Sequence, residues 1–248
     1  MNEDTKTGES NFKIAILIDG ENAQPALLGH ILSEVAKKGI VTIRRIYGDW
    51  TSPHMNGWKS ILHTYAVQPM QQFKYTTGKN STDSSLIIDA MDILHEKVVD
   101  GFCIVSSDSD YTRLATRIRE SGVFVMGMGQ KKTPQPFVKA CELFVYTENL
   151  IDKTDISSEE SRKSLKKTGE APAELINLLK EAFNMVVQED ELAYLGKIGE
   201  ALRKLDPSFD TRTYGFKTMT PLFRSLSDYF EIITKDSGKS VYIKLKEK

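Results

Sequence analysis

Residues 13–22 read KIAILIDGEN: one lysine, five consecutive apolar residues, then Asp19-Gly20-Glu21-Asn22. An apolar run of this length, cut off by an acid and a glycine, reads as a strand buried on both faces and ending in a turn. Strands without alternation belong to parallel sheets covered by helices on both sides. Working outward, further strand-like runs occur at 40–47, 101–106, 123–128 and 143–146, with an extended stretch at 66–75. Helical spacing fills 27–38, the neighbourhood of 58–65, 82–98 and 109–121. This alternation predicts an α/β, Rossmannoid parallel sheet with helices on both faces and right-handed crossovers.

The remainder of the chain is organised differently. Residues 151–170 (IDKTDISSEESRKSLKKTGE) hold five acidic and five basic residues, four serines and only three large apolar residues. Such a stretch cannot bury enough surface to offset its ordering entropy and reads as a linker. Beyond it, helical spacing at 172–187, 191–205 and 217–229 precedes two strand-like runs at 230–234 and 240–245, joined by Lys235-Asp236-Ser237-Gly238-Lys239. Three helices and a two-stranded ribbon predict a small winged helix-turn-helix. The organisation is thus a disordered tail (1–11), an α/β domain (12–150), a linker (151–170) and a winged-helix domain (171–248).

Composition narrows the function classes. The 248 residues carry 33 basic and 34 acidic side chains, for a formal net charge of −1, and neither half is basic overall. Any nucleic-acid contact must therefore come from local features. The longest apolar run, 14–18, is far short of the roughly 18 residues of a membrane helix. The polar start MNEDTKTGES has no signal-peptide core, and two cysteines make neither a disulfide framework nor a zinc site. These features predict a soluble, cytoplasmic protein with no membrane partner.

Two strands end in acid-rich turns: Asp19-Gly20-Glu21-Asn22 after the first, and Ser106-Ser107-Asp108-Ser109-Asp110 after FCIV. Open parallel sheets bind ligands just beyond the carboxyl ends of their strands. The helix from Thr82 adds a third acidic element. At roughly 100° per residue, Leu86, Ile87, Ala90 and Leu94 fall within about 60° of Asp83, whereas Asp89 and Asp92 fall on the opposite face. Asp83 therefore faces the apolar stripe and needs a partner, while Asp89 and Asp92 need only water. A divalent cation shared by Asp19, Asp83, Asp108 and Asp110 relieves their mutual repulsion. Hard oxygen donors select Mg²⁺ or Mn²⁺, whose chemistry suits phosphodiester hydrolysis.

IAILIDGEN, KNSTDSSLIIDAM and IVSSDSDYTRL, in this order, resemble the NYN domain, the LabA-like branch of the PIN-like nucleases, over about residues 12–150. The resemblance implies a metal-dependent ribonuclease fold in which Asp19, Asp83, Asp108 and Asp110 form the acidic metal site. Asn22 would hold a water or a substrate oxygen, and Thr82, Ser106 and Ser107 would orient the carboxylates. Lys79 stands as a candidate phosphate contact. In the second half, FDTRTYGFK (209–217) followed by Leu222, Phe223 and Leu226 resembles the OST-HTH (LOTUS) winged helix over about residues 172–245. That resemblance implies RNA as partner, with a protein partner or a homodimer as further options. From Arg203 to Lys248 ten basic residues face six acidic ones. Arg212, Lys217, Arg224, Lys235 and Lys239 are the candidate RNA contacts.

Plainer readings stand beside these. Asp19 also fits a plain turn residue, Asp108 and Asp110 also fit plain helix caps, and Glu21 reads as a solvated neighbour. Arg212 pairing with Asp210 or Asp206 would merely hold its turn. Tyr214 and Phe216 fit the small core, Cys103 the large one, and Trp50 and Trp58 fit packing or loop anchoring better than base stacking. The four histidines show no paired ligand spacing. A haloacid-dehalogenase-type phosphatase with Asp19 as nucleophile is weakened by Glu21 where that chemistry expects aspartate, and no P-loop motif occurs. The main competitor to a nuclease is a non-catalytic RNA-binding adaptor.

Overall fold

Parity along β1 (Lys13–Asp19) organises the first unit, because its side chains enter two different cores. Ile14, Ile16 and Ile18 pack on one face of the sheet, and Ala15 and Leu17 on the other. The same alternation sends Asp19 to the Ala15 and Leu17 side. The computed structural model describes residues 12–72, 81–151, 172–235 and 240–246. It divides at Leu150/Ile151 into two compact units. Lys79, Lys239, the tail and the linker stretch 152–171 lie outside the described residues.

The first unit holds β2 (Ile40–Gly48), β3 (Gln68–Gln71), β4 (Gly101–Val105), β5 (Phe124–Gly129) and β6 (Leu143–Tyr146) with β1 in one parallel sheet of order β3-β2-β1-β4-β5-β6. Central β1 and β4 are buried nearly throughout, which explains their unbroken apolar sequence. The order reverses between β1 and β4, so a crevice opens beyond their carboxyl ends. Helices α1 (Leu28–Ala36) and α2 (Asn56–Lys59) bury Leu28, Ile31, Val35 and Trp58 in one core. Helices α3 (Ser81–Glu96), α4 (Thr112–Glu120) and α5 (Gln135–Ala140) bury Leu86, Ala90, Leu114, Ile118 and Phe137 in the other.

Several local expectations are corrected. The helix read near 58–65 is the single turn Asn56–Lys59, followed by turns as far as Ala66, whose φ is +50°. Trp58 and Leu62 are both buried, so their spacing is real although the helix stops. Helix α5 follows Pro134 and is too short to leave a periodic signature. Asp89 does not face water alone: it pairs with Arg45 and accepts the Tyr47 hydroxyl. Arg45 and Tyr47 share a face of β2, beneath the flank of α3, so the contact comes from the neighbouring strand that a helical wheel cannot represent.

In the second unit, α6 (Ala173–Asn184), α7 (Leu195–Leu205) and α8 (Met219–Ser225) pack Leu179, Phe183, Ile198, Leu202 and Phe223 against an antiparallel sheet. That sheet has three strands where two are expected from the sequence. β7 (Leu192–Tyr194) joins β8 (Phe230–Lys235) and β9 (Ser240–Leu245) in the order β7-β9-β8. Its three residues merge in sequence with the helix that follows. Phe223 and Phe230 meet edge to face at 5.0 Å, and Tyr214 and Phe216 pack on this core. Cys103 and Cys141 are buried and free. No helix among the described residues is long and apolar enough to cross a membrane.

The Asp89 pairing yields a stability prediction. Asp89→Ala leaves the Arg45 cation and the Tyr47 hydroxyl without their acceptor and costs about 2 kcal/mol in urea unfolding. Asp92→Ala, on the exposed side, stays within about 0.5 kcal/mol of the parent.

Candidate metal centre

The strand register brings the first two acidic elements together. Ile18 pairs with Val105, so Asp19, the last residue of β1, and Ser106, the first beyond β4, are the next neighbours at the carboxyl edge. Both are buried, at 1% and 2% exposure. The Ser106 hydroxyl donates to Asp19 Oδ2 at 2.8 Å, and the Asn22 amide nitrogen donates to the same oxygen at 2.7 Å. Asp19 Oδ1 accepts the backbone N–H groups of Glu21 and Asn22 at 3.2 and 3.3 Å. Burial pushes the Asp19 carboxyl above the ordinary value near 3.8, and these bonds partly counter that. Gly20 is required by close approach: a Cβ there would meet the Met55 methyl at 2.7 Å and the Tyr47 carbonyl at 2.9 Å. The Trp58 indole pins this loop by donating to the Gly20 carbonyl at 3.0 Å.

Ser106 also accepts the backbone N–H of Asp108 at 3.0 Å, so one hydroxyl ties Asp19 to the loop after β4. Asp108 then caps the turn Ser109–Tyr111, accepting the N–H of Asp110 at 2.9 Å. That turn delivers Tyr111 to the core, where its hydroxyl donates to Asp83 Oδ1 at 2.6 Å. Burial pushes the Asp83 carboxyl up; the Tyr111 bond opposes this, while Asp19, Asp108 and Asp110 raise it further. The Tyr111 hydroxyl is itself driven far above the ordinary tyrosine range, by burial and then by the neighbouring acids. Sequence spacing singles out Asp83 but gives no hint of Tyr111, whose partner sits on another helix.

One carboxylate oxygen from each of Asp83, Asp108 and Asp110 lies within 4.8 Å of the other two. Asp19 is outside that mutual group and sits beside it, its charge felt at Asp83. Three carboxylates this close, each able to offer an oxygen, form a group that could hold a divalent cation. The donor set, all hard oxygen and all acidic, suits a hard divalent cation.

The other expected residues are placed as follows. Asn22 is exposed and its amide touches Asp19. Thr82 is buried, and its hydroxyl donates to Glu21 Oε1 at 3.4 Å. The Ser107 hydroxyl accepts the N–H of Gln130 at 2.9 Å and so braces the turn after β5. Asp19 as a phosphatase nucleophile is disfavoured, because both oxygens are enclosed by donors. In the second unit Asp210 accepts the Arg212 N–H at 2.8 Å and its guanidinium at 2.6–3.0 Å. Arg212 thus holds its turn, which closes on Gly215 at φ +81°, where a side chain would be strained. Lys235 lies 3.5 Å from Asp190 and 4.7 Å from the centre of the Tyr242 ring. Lys217 and Arg224 are exposed.

The NYN domain family matches residues 13–152, and the OST-HTH/LOTUS domain family matches residues 168–242. A protein of unknown function from Vibrio parahaemolyticus RIMD 2210633 has a solved structure 22% identical to this chain. It covers 59% of this chain and 96% of its own, with a TM-score of 0.47. An uncharacterized protein from Nitrosomonas europaea is 24% identical over 40% of this chain and 94% of its own, with a TM-score of 0.28. No curated protein matches the chain.

The crowding has a measurable consequence. Folding raises the Asp83 carboxyl, so the folded state binds that proton more tightly than the unfolded chain. The contribution is most favourable below the ordinary carboxylate value and declines as pH rises through it. Asp83→Asn, which still accepts the Tyr111 hydroxyl, therefore raises the Tm of the chelator-treated protein at pH 7. The gain shrinks as the pH is lowered through the carboxylate range, as followed by thermal melts across pH.

Proposed function

The chain belongs to the NYN domain family and carries an OST-HTH/LOTUS domain, a nuclease-type unit beside an RNA-binding one, and on that premise we propose a Mg²⁺- or Mn²⁺-dependent ribonuclease. The observation that carries the reading is the approach of Asp83, Asp108 and Asp110 to within 4.8 Å at the switch point of the sheet. Asp83, Asp108 and Asp110 hold the ion. Buried Asp19 adds negative potential from the adjoining strand end and fixes Asn22.

A divalent ion at this place supplies Lewis acidity and lowers the pKa of water. The protein's own residues supply position. Tyr111 aims Asp83, and Ser106 locks the Asp108 loop to Asp19, so the carboxylates are set before substrate arrives. One amide hydrogen of Asn22 is committed to Asp19, which leaves its other hydrogen and its oxygen for a water or a phosphate oxygen. The winged helix supplies RNA affinity through exposed Lys217 and Arg224. Lys79 and Lys239 belong to the same proposal as phosphate contacts. Ser106 and Ser107 act as positioning groups, and so does Thr82 through Glu21.

Two measurements test this. Asp108→Asn lowers Mn²⁺-supported cleavage of labelled single-stranded RNA on the order of 100-fold or more while RNA binding and fold persist. Unchanged cleavage would remove the assignment, and wild-type binding without metal-dependent products would favour the adaptor. Separately, Lys217→Glu and Arg224→Glu weaken RNA binding and each flatten its salt dependence by about one unit of slope. Arg212→Ala instead lowers the stability of the second unit.

A further inference from the structure

A groove of about 550 Å³ opens on the other flank of the same sheet, along the outer strand β3. Its floor is apolar: Leu62, Val67 and Pro69, with Trp50 as one wall. Val67, Pro69 and Gln71 alternate on one side of β3, which presents that strand's face to the groove. Lys59 and His63, both exposed, stand on the rim. Arg44, bonded to the Tyr65 carbonyl at 2.9 Å, adds a third basic side chain nearby. The acid close to the groove, Asp49, accepts from Gln71 at 3.2 Å and from Thr51 at 2.6 Å.

Trp50 is anchored by its edge. Its indole N–H donates to the Met70 carbonyl at 3.0 Å, and its backbone N–H donates to Gln71 Oε1 at 3.0 Å. These bonds fix the ring while leaving the residue half-exposed on the groove. Anchoring accounts for the N–H and packing against the core for the buried part of the ring; the exposed part is left as a held aromatic surface beside a basic rim. The groove is also coupled to the acidic centre: Trp58, next to Lys59, holds the Gly20 carbonyl one residue beyond Asp19. Leu62, Val67 and Trp50 belong to the Ile14, Ile16 and Ile18 face of the sheet and Asp19 to the other, so a strand engaging both sites passes around the sheet's carboxyl edge.

We infer that this groove is a base-binding subsite for single-stranded RNA, in which an unpaired base stacks on Trp50 and Lys59 and His63 meet the adjoining phosphate. Its volume falls in the range of pockets for ligands of that size. The rim charge suits a phosphodiester, and a fixed indole suits any base without hydrogen-bond selection. The subsite rests on the ribonuclease reading for its purpose, but its occupancy requires no metal and no cleavage.

The test uses the full chain in chelator with a short single-stranded RNA. The chain's two tryptophans are Trp50 and Trp58, and Trp58 is buried with its N–H bonded internally. RNA should therefore quench emission through Trp50, and the quench should persist in Lys217→Glu/Arg224→Glu, where the second unit is impaired. Trp50→Leu should abolish it and Trp50→Phe should hold affinity at this site near the parent's. With single abasic substitutions scanned through the RNA, one position should weaken binding of the parent about tenfold and leave Trp50→Leu unaffected. Absence of quenching while anisotropy shows bound RNA overturns the subsite, as does a quench that survives in Trp50→Leu. If quenching occurs but Mn²⁺ yields no cleavage, the subsite stands and the nuclease reading fails.

Discussion

Like charge held at short range is the constraint on which this structure turns. Asp83, Asp108 and Asp110 come from a helix start and a loop after a central strand, and buried Asp19 stands beside them. In water such groups would separate. Here the sheet register, the Ser106 bridge and the Tyr111 hydroxyl keep them together, and burial with mutual repulsion raises the Asp83 carboxyl. A scaffold that maintains this arrangement gives up stability in the metal-free state, and divalent cation binding is the direct way to recover it.

Much of this was legible because strand parity and topology are simple. The unbroken run at 14–18 announces a central parallel strand, and the acid that ends it falls by alternation on the side of α3 and α4. Helical angles correctly put Asp83 over the apolar stripe. They misplace Asp89, because a wheel describes one helix while Arg45 and Tyr47 reach in from β2. The role of Tyr111 was hidden for the same reason: its hydroxyl crosses between helices. Short elements such as α5 and β7 were hidden too, since six or three residues cannot display a period. Thr82 illustrates a finer limit, its neighbourhood being readable and its partner not.

The second unit gives the FDTRTYG stretch a physical explanation. Asp210 caps the turn and grips the Arg212 guanidinium, Phe209 and Tyr214 rings sit 6.1 Å apart, and Gly215 takes the left-handed conformation that ends it. The motif is therefore chiefly architectural, and it sets the start of α8. Lys217 and Arg224, outside these internal bonds, carry the electrostatic part of RNA affinity in the proposal. Charge count alone would have ranked all these cations equally; local pairing separates them.

Anomalous scattering from crystals soaked in Mn²⁺ addresses the centre itself. The account predicts a strong peak bonded to the carboxylates of Asp83, Asp108 and Asp110, lost in crystals of Asp108→Asn. A fully occupied lattice of parent protein with no peak at these three side chains, or with manganese held only elsewhere, would contradict it.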